Sequence, residues 1–260
     1  MKLSLEAASG LPVSVDTESC ELSFGDGLNQ PNYCVRKLHD LDAVWRNPVP
    51  DADRVIYHYT DGLWLEGDEA LWQAANVVHG IVIFAPGTYG GEYVKSSGQY
   101  HPPTPPSGMA TPEIYTVLSG LGHFLLQKAS PPYTSIEDAV LVEVRAGESF
   151  VVPPDYGHLQ INPLPEPLVF SYTVMGGMKG VYEPFRVKGG AIYYEMADGP
   201  ERHVYNERYG DRVPLRIVRA GDICQLPTLN ERPTYQDVRD HLPELTFLTD
   251  PTLFPASAGL

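Results

Sequence analysis

Between Val77 and Met175 the chain is a succession of short apolar segments rich in Val, Ile, Leu, Phe and Tyr, cut by Gly and Pro turns. VVHGIVIF, EYVKSS, EIYTVLSG, GHFLLQKA, AVLVEVRAGESFVVPP, HLQINP and LVFSYTVM follow one another with no helical period between them. Strands at this close, regular spacing fold as an all-β sandwich or a double-sheet barrel of the jelly-roll kind. The expected barrel covers residues 77–180.

On either side the pattern loosens. Residues 1–76 read as an N-terminal arm with short strands and helices: a short helix over 37–46, a strand at RVIYHY (54–59), and a helix opening at Asp68 and Glu69, whose acidic side chains suit a helix N-terminus. Residues 181–260 read as a C-terminal extension that wraps the barrel. It holds a hairpin in AIYYEMADGPERHVYN, a run ending in VRAGDI, and a helix near Tyr235 to His241.

The net charge of −15 excludes nucleic acid and anionic membrane as expected partners, because the field of the whole molecule repels both. A small anionic substrate remains compatible with a local basic pocket. Cations are scarce near the expected barrel: only Lys95, Lys128, Arg145 and Lys179 fall between residues 81 and 180. Cys20, Cys34 and Cys224 lack metal-finger spacing and read as reduced thiols. With no apolar run long enough to cross a bilayer and no signal-peptide core in MKLSLEAASGLPVSVD, a cytoplasmic location is expected.

His101, Glu113 and His158 are the candidate metal ligands. Neutral imidazole and carboxylate hold borderline first-row metals, and two His with one carboxylate serve both non-haem iron centres and Lewis-acid centres. The other reading of these residues is as ordinary surface or core side chains.

The flanking residues sharpen that choice. Gly147 to Asn162 reads G-x5-P-x-D-x2-H-x3-N, which resembles the second motif of the cupin superfamily with Asp155 in place of its second Gly. Glu113-x6-Gly120 resembles the end of the first cupin motif, whose His-x-His start falls on Gln99-Tyr100-His101. More narrowly, PGTYGGEYVKSSGQYH, PEIYTVLSGLGHFLLQ and VPPDYGHLQIN, with KGGAIYYEMADGPE and PLRIVRAGDI in the tail, resemble the cupin-type glucose-6-phosphate isomerase family.

That resemblance implies a cupin double-stranded β-helix, a homodimer, and one divalent metal ion (Fe, Zn, Mn or Ni) held by Gln99, His101, Glu113 and His158. Gln99 departs from the family pattern, since an amide oxygen is a poorer donor than imidazole. His79 and His123 are the alternative sources of a further imidazole, or ordinary strand residues. The implied reaction is aldose–ketose isomerisation of glucose 6-phosphate and fructose 6-phosphate through a cis-enediol. Glu113 would then act as ligand and proton carrier, with Tyr115 two residues along on the same strand face. Thr88, Ser96, Ser97, Gly98 and Tyr182 would cradle the phosphate, with Lys95 as nearby charge. The Pro-rich loop from Pro102 to Pro112 is either a stiff lid or a fixed surface loop. Two other functions stay open: a metal-dependent cupin of altered chemistry, such as a non-haem iron oxygenase or a biosynthetic enzyme, and a barrel that binds a small molecule without turnover.

Overall fold

The computed structural model describes residues 1–50, 53–223, 229, 233–255 and 260. Its frame is two six-stranded sheets. We number their strands in chain order: β1 Asn32–Lys37, β2 Val55–Asp61, β3 Val77–Phe84, β4 Thr88–Tyr89, β5 Glu92–Lys95, β6 Glu113–Ser119, β7 Leu121–Lys128, β8 Asp138–Arg145, β9 Ser149–Val152, β10 Tyr156–Asn162, β11 Leu168–Met175 and β12 Leu215–Arg219. The first sheet runs β9-β6-β11-β3-β2-β1, and the second β12-β8-β7-β10-β5-β4. Every pairing within them is antiparallel except β8 with β12, which run parallel.

This is the all-β cupin barrel that the strand spacing and the second-motif pattern led us to expect. The flanking stretches do more than surround it. β1 and β2 extend the first sheet from the N-terminal side, and β12 extends the second from the C-terminal side. The helical turns expected before residue 77 are a 3-10 helix over Leu38–Val44 and an α-helix over Glu69–Ala75, and the tail helix is Thr234–His241. Among the described residues, no helix is long and apolar enough to cross a membrane. Cys20 and Cys34 are free thiols, and Cys224 lies outside the described residues.

The near-continuous apolar character of β3 and β6 has a physical cause. A sheet wet on one face alternates apolar with polar side chains, whereas one covered on both faces does not. Tyr115, Val117, Val82, Phe84 and Phe170 turn into the barrel core, while their neighbours Ile114, Leu118, Ile81, Ile83 and Val169 turn outward into a second core. Residues of the arm and tail, including Leu11, Val15, Tyr235 and Phe247, cover that outer face. Inside, Tyr115, Phe150 and Phe170 of the first sheet meet Phe124 of the second, with ring centroids 5.0, 4.8 and 5.6 Å from that of Phe124.

Two positions reveal how tightly the first sheet is built. At Gly80 a Cβ would stand 2.3 Å from the Thr60 carbonyl oxygen and 2.5 Å from the Tyr172 ring, so only Gly lets that ring lie across β3. Tyr172 then donates its hydroxyl to the same Thr60 carbonyl at 2.9 Å. His79, on the outer face, sits between the rings of Trp72 and Tyr235 at 5.6 and 5.7 Å, and its Nδ1 bonds Thr173 Oγ1 at 3.0 Å. Burial pulls its pKa down to about 3, and its Nε2 has no hydrogen-bond partner.

Two tests follow from this packing. Gly80→Ala overpacks the contact with Thr60 and Tyr172 and should destabilise the protein by about 1–3 kcal/mol, read as a lower urea midpoint with unchanged slope. For His79, the unfolded chain takes up a proton near the ordinary imidazole value of 6.5 whereas the folded chain resists until about 3. Its burial therefore costs no stability above pH 6.5. As pH falls below that value it removes stability at up to about 1.4 kcal/mol per pH unit. His79→Leu should flatten the acid limb of the stability curve between pH 6 and 4, and an unchanged slope would contradict this reading.

Candidate metal centre and active-site cavity

Three buried donors meet at one point inside the barrel. Glu113 opens β6, His158 lies on β10, and His101 follows the turn after β5; they are 3%, 2% and 1% exposed in the order Glu113, His101, His158. His101 Nε2 and His158 Nε2 each stand 3.1 Å from Glu113 Oε2. Among the described residues this is the one group of three or more His, Cys, Asp or Glu side chains placed to hold a metal ion, its ligand atoms all within 4.8 Å of one another.

The outer ring nitrogens decide which atoms face inward. His101 Nδ1 lies 2.7 Å from the Thr111 carbonyl, an acceptor only, so the proton belongs on Nδ1 and the Nε2 lone pair points at Glu113. His158 repeats this more loosely, with Nδ1 3.4 Å from the Tyr156 carbonyl. Tyr115 contributes from the same strand as Glu113: Gln160 Nε2 donates to its hydroxyl at 2.8 Å, and the hydroxyl lies 3.2 Å from His158 Nε2. Burial would push the Glu113 carboxyl up, but when the facing Nε2 atoms of His101 and His158 carry protons their hydrogen bonds and charge outweigh it and hold the carboxyl down at about 2. Burial, with the Glu113 carboxylate beside it, raises the Tyr115 hydroxyl well above its ordinary value.

With both rings neutral, two imidazole lone pairs and the carboxylate would converge at this buried point. Such a cluster is resolved by protonating an imidazole or by placing a cation among the three, and the donor set is that of a divalent first-row metal. The carbonyls on the outer nitrogens are the supports expected behind metal-bound histidines. The residues present therefore fit a metal ion.

Gln99 lies beside this cluster. It exchanges both backbone hydrogen bonds with His158, at 3.0 and 2.9 Å, which sets the two side chains on one face of the sheet. Its amide lines the cavity, and Gly180 leaves room for it: a Cβ there would stand 2.2 Å from Gln99 Oε1. Neither other candidate imidazole reaches the cluster. His79 is in the outer core, and His123 pairs through Nδ1 with Glu195 at 2.8 Å.

The cluster opens on a cavity of about 450 Å³. Ser96, Ser97, Gly98 and Tyr182 of the expected cradle line it together with Gln99, Glu113, Tyr115 and His158. Gly98 makes the turn possible, with φ of +76° and the Phe185 ring 2.5 Å from where a Cβ would stand. Thr88 and Lys95 do not line the cavity. Thr88 is exposed on β4. On β5 the alternation turns Val94 into the core and Lys95 away from it, where its ammonium bonds the Val44 carbonyl at 2.8 Å and pairs with Glu92. The Pro-rich loop folds into a small hairpin, Pro103–Thr104 with Met109–Ala110, and contributes no residue to the cavity wall.

Asp155, the departure from the second cupin motif, holds that hairpin. It adopts φ of +68°, a left-handed conformation that Asp tolerates better than most residues, and its Oδ1 accepts the Ala110 N–H at 2.8 Å.

Arg36, Tyr57, Tyr59 and Tyr172 also line the cavity and were not singled out in the sequence. Gln160 was missed as well, although its place two residues beyond His158 on a strand puts it on the same face.

A family model described as glucose-6-phosphate isomerase matches residues 35–212, which include every cavity and cluster residue named above. The chain is 28% identical over 142 residues to the glucose-6-phosphate isomerase of Pyrococcus furiosus, a match spanning 52% of this chain and 66% of that protein. It is 28% identical over 166 residues to that of Pyrococcus horikoshii, spanning 62% and 76%. Among solved structures, an oxalate oxidase matches 38% of this chain and 41% of its own at 23% identity with a TM-score of 0.29. An oxalate decarboxylase of Bacillus subtilis matches 63% and 34% at 10% identity with a TM-score of 0.37.

If the cluster takes up a metal, Mn, Fe, Ni or Zn at a hundredfold excess over its dissociation constant should raise the melting temperature by about 5–10 °C. The increment should vanish with chelator and in His101→Ala and Glu113→Gln.

Proposed function

Since the chain belongs to the glucose-6-phosphate isomerase family, we propose that it is a metal-dependent aldose–ketose isomerase that interconverts glucose 6-phosphate and fructose 6-phosphate through a cis-enediol. The observation that carries this reading is the buried His101–Glu113–His158 cluster opening on a cavity of small-molecule size, about 450 Å³.

Isomerisation moves one proton between adjacent carbons, so it needs a base that can take the proton and return it. Glu113 is placed for this role: its carboxyl lies in the cavity wall and is ionised, the form that accepts a proton. His101, His158 and Glu113 would hold the ion, with the Gln99 amide oxygen as a fourth, weaker donor. A divalent cation held there would supply Lewis-acid polarisation of the substrate carbonyl and stabilisation of negative charge on the adjacent oxygen. Tyr115 and Gln160 fix the His158 ring, and Tyr115 presents a hydroxyl to the sugar. The Ser96–Gly98 turn, with its hydroxyls and the backbone N–H groups of Ser97 and Gly98, and the Tyr182 hydroxyl are suited to hold the phosphate.

The second reading rests on Gln99. With an amide at this position, the strong donors are two His and one carboxylate, the set found in many non-haem iron oxygenases. Oxygen consumption by the iron-loaded protein with a candidate substrate would favour it.

Metal-loaded protein should interconvert the two hexose phosphates in a coupled assay. Glu113→Gln should lower kcat by about 10²–10⁴-fold, and Gln99→His should tighten metal binding and raise turnover. Full activity in Glu113→Gln would remove Glu113 as proton carrier.

A further inference from the structure

We propose that Arg36 is the anchor for the substrate's anionic end, a phosphomonoester, supplied to the cavity by the N-terminal edge strand β1. The proposal rests on the sugar-phosphate reading above and adds to it a residue outside the core motifs.

Strand register places Arg36 on the catalytic face. Directly opposed residues of an antiparallel pair share a face. Arg36 opposes Tyr57 on β2, Tyr57 opposes Phe84 on β3, and Phe84 opposes Leu168 on β11. Two residues along, Tyr59, Val82, Phe170 and Val117 oppose one another in the same way, which leads to Tyr115 and Glu113 at intervals of two on β6. β1 lies four strand spacings from β6, roughly 19 Å along the sheet before it curves. The long Arg side chain and the curvature close that distance, since Arg36 and Glu113 line one cavity.

The guanidinium is set for a ligand. Nη2 donates to the Tyr59 hydroxyl at 3.0 Å, and Cζ stands 5.2 Å from the Tyr59 ring centroid. Nη1 reaches the Val35 carbonyl at 3.3 Å. Neither partner is a carboxylate, and of the five N–H donors of a guanidinium these two bonds leave several for an oxyanion. Tyr182, already assigned to the phosphate end, lines the same cavity. Lys179 also lines the wall but is exposed, whereas Arg36 is half-buried and oriented by Tyr59. Lys95, the cation that the sequence suggested, is occupied by Glu92 outside the cavity. In a chain of net charge −15, a positioned Arg overcomes the general repulsion of an anion only locally, which favours a short-range bidentate contact.

The test uses metal-loaded full-length protein, with inorganic phosphate as the binding probe in calorimetry and as a competitive inhibitor. Arg36→Met should raise KM for fructose 6-phosphate and weaken phosphate binding together, by roughly 10- to 100-fold, with a smaller fall in kcat. Arg36→Lys should recover part of the loss, and Tyr59→Phe should show a weaker effect in the same direction. If Arg36→Met does not fold, those two variants decide by the same readouts. A folded variant with wild-type KM and phosphate affinity overturns the anchor. Phosphate binding that depends on Arg36 in a protein inactive on hexose phosphates supports the anchor while removing the proposed reaction.

Discussion

The structure depends on one electrostatic problem: a carboxylate is buried between two imidazoles that both turn Nε2 toward it. Burying a charge without compensation costs several kcal/mol, so the surroundings of Glu113 must stabilise it. The Thr111 and Tyr156 carbonyls hold the outer ring nitrogens and so fix which atoms face Glu113. Tyr115 and Gln160 fill the hydrogen-bonding needs of the next layer. A cation among the three donors would satisfy all of them at once, and it would supply the carbonyl polarisation that the proposed isomerisation needs.

The barrel holds this arrangement because its first sheet is packed on both faces. Glu113, Tyr115 and Val117 turn inward while Ile114 and Leu118 turn into a core made with the arm and tail. β6 therefore cannot slip by one residue without exchanging Glu113 for Ile114 beside His101 and His158 and burying a charge in an apolar layer. The N-terminal stretch and the tail are part of the same device, since they cover the outer face and carry β1 and β12 into the sheets.

The sequence disclosed the strands of the barrel because Val, Ile and aromatic runs between Gly and Pro turns are a local signal. The buried His101–Glu113–His158 cluster was legible because a donor type and a motif spacing survive without coordinates. Pairing between distant segments was not legible: nothing near Arg36 announces that β1 joins β2 and faces the same cavity as Glu113. The error at Lys95 has a similar origin. A period of two shows that Val94 and Lys95 face opposite ways but not which faces in, and only the Glu92 ion pair and the packed Val94 settle it. Asp155 looked like a blemish in the second motif; its left-handed backbone and its bond to Ala110 show it doing a glycine's conformational task while tying down the neighbouring hairpin.

The most direct measurement is an anomalous-difference map from crystals of the protein loaded with manganese, iron, nickel or zinc and collected at the corresponding absorption edge. A single peak bounded by His101 Nε2, Glu113 and His158 Nε2, with the Gln99 amide turned toward it, is the expected result. No peak at that point in metal-loaded crystals, or a peak held by other residues, would contradict the metal centre and the isomerase mechanism that rests on it.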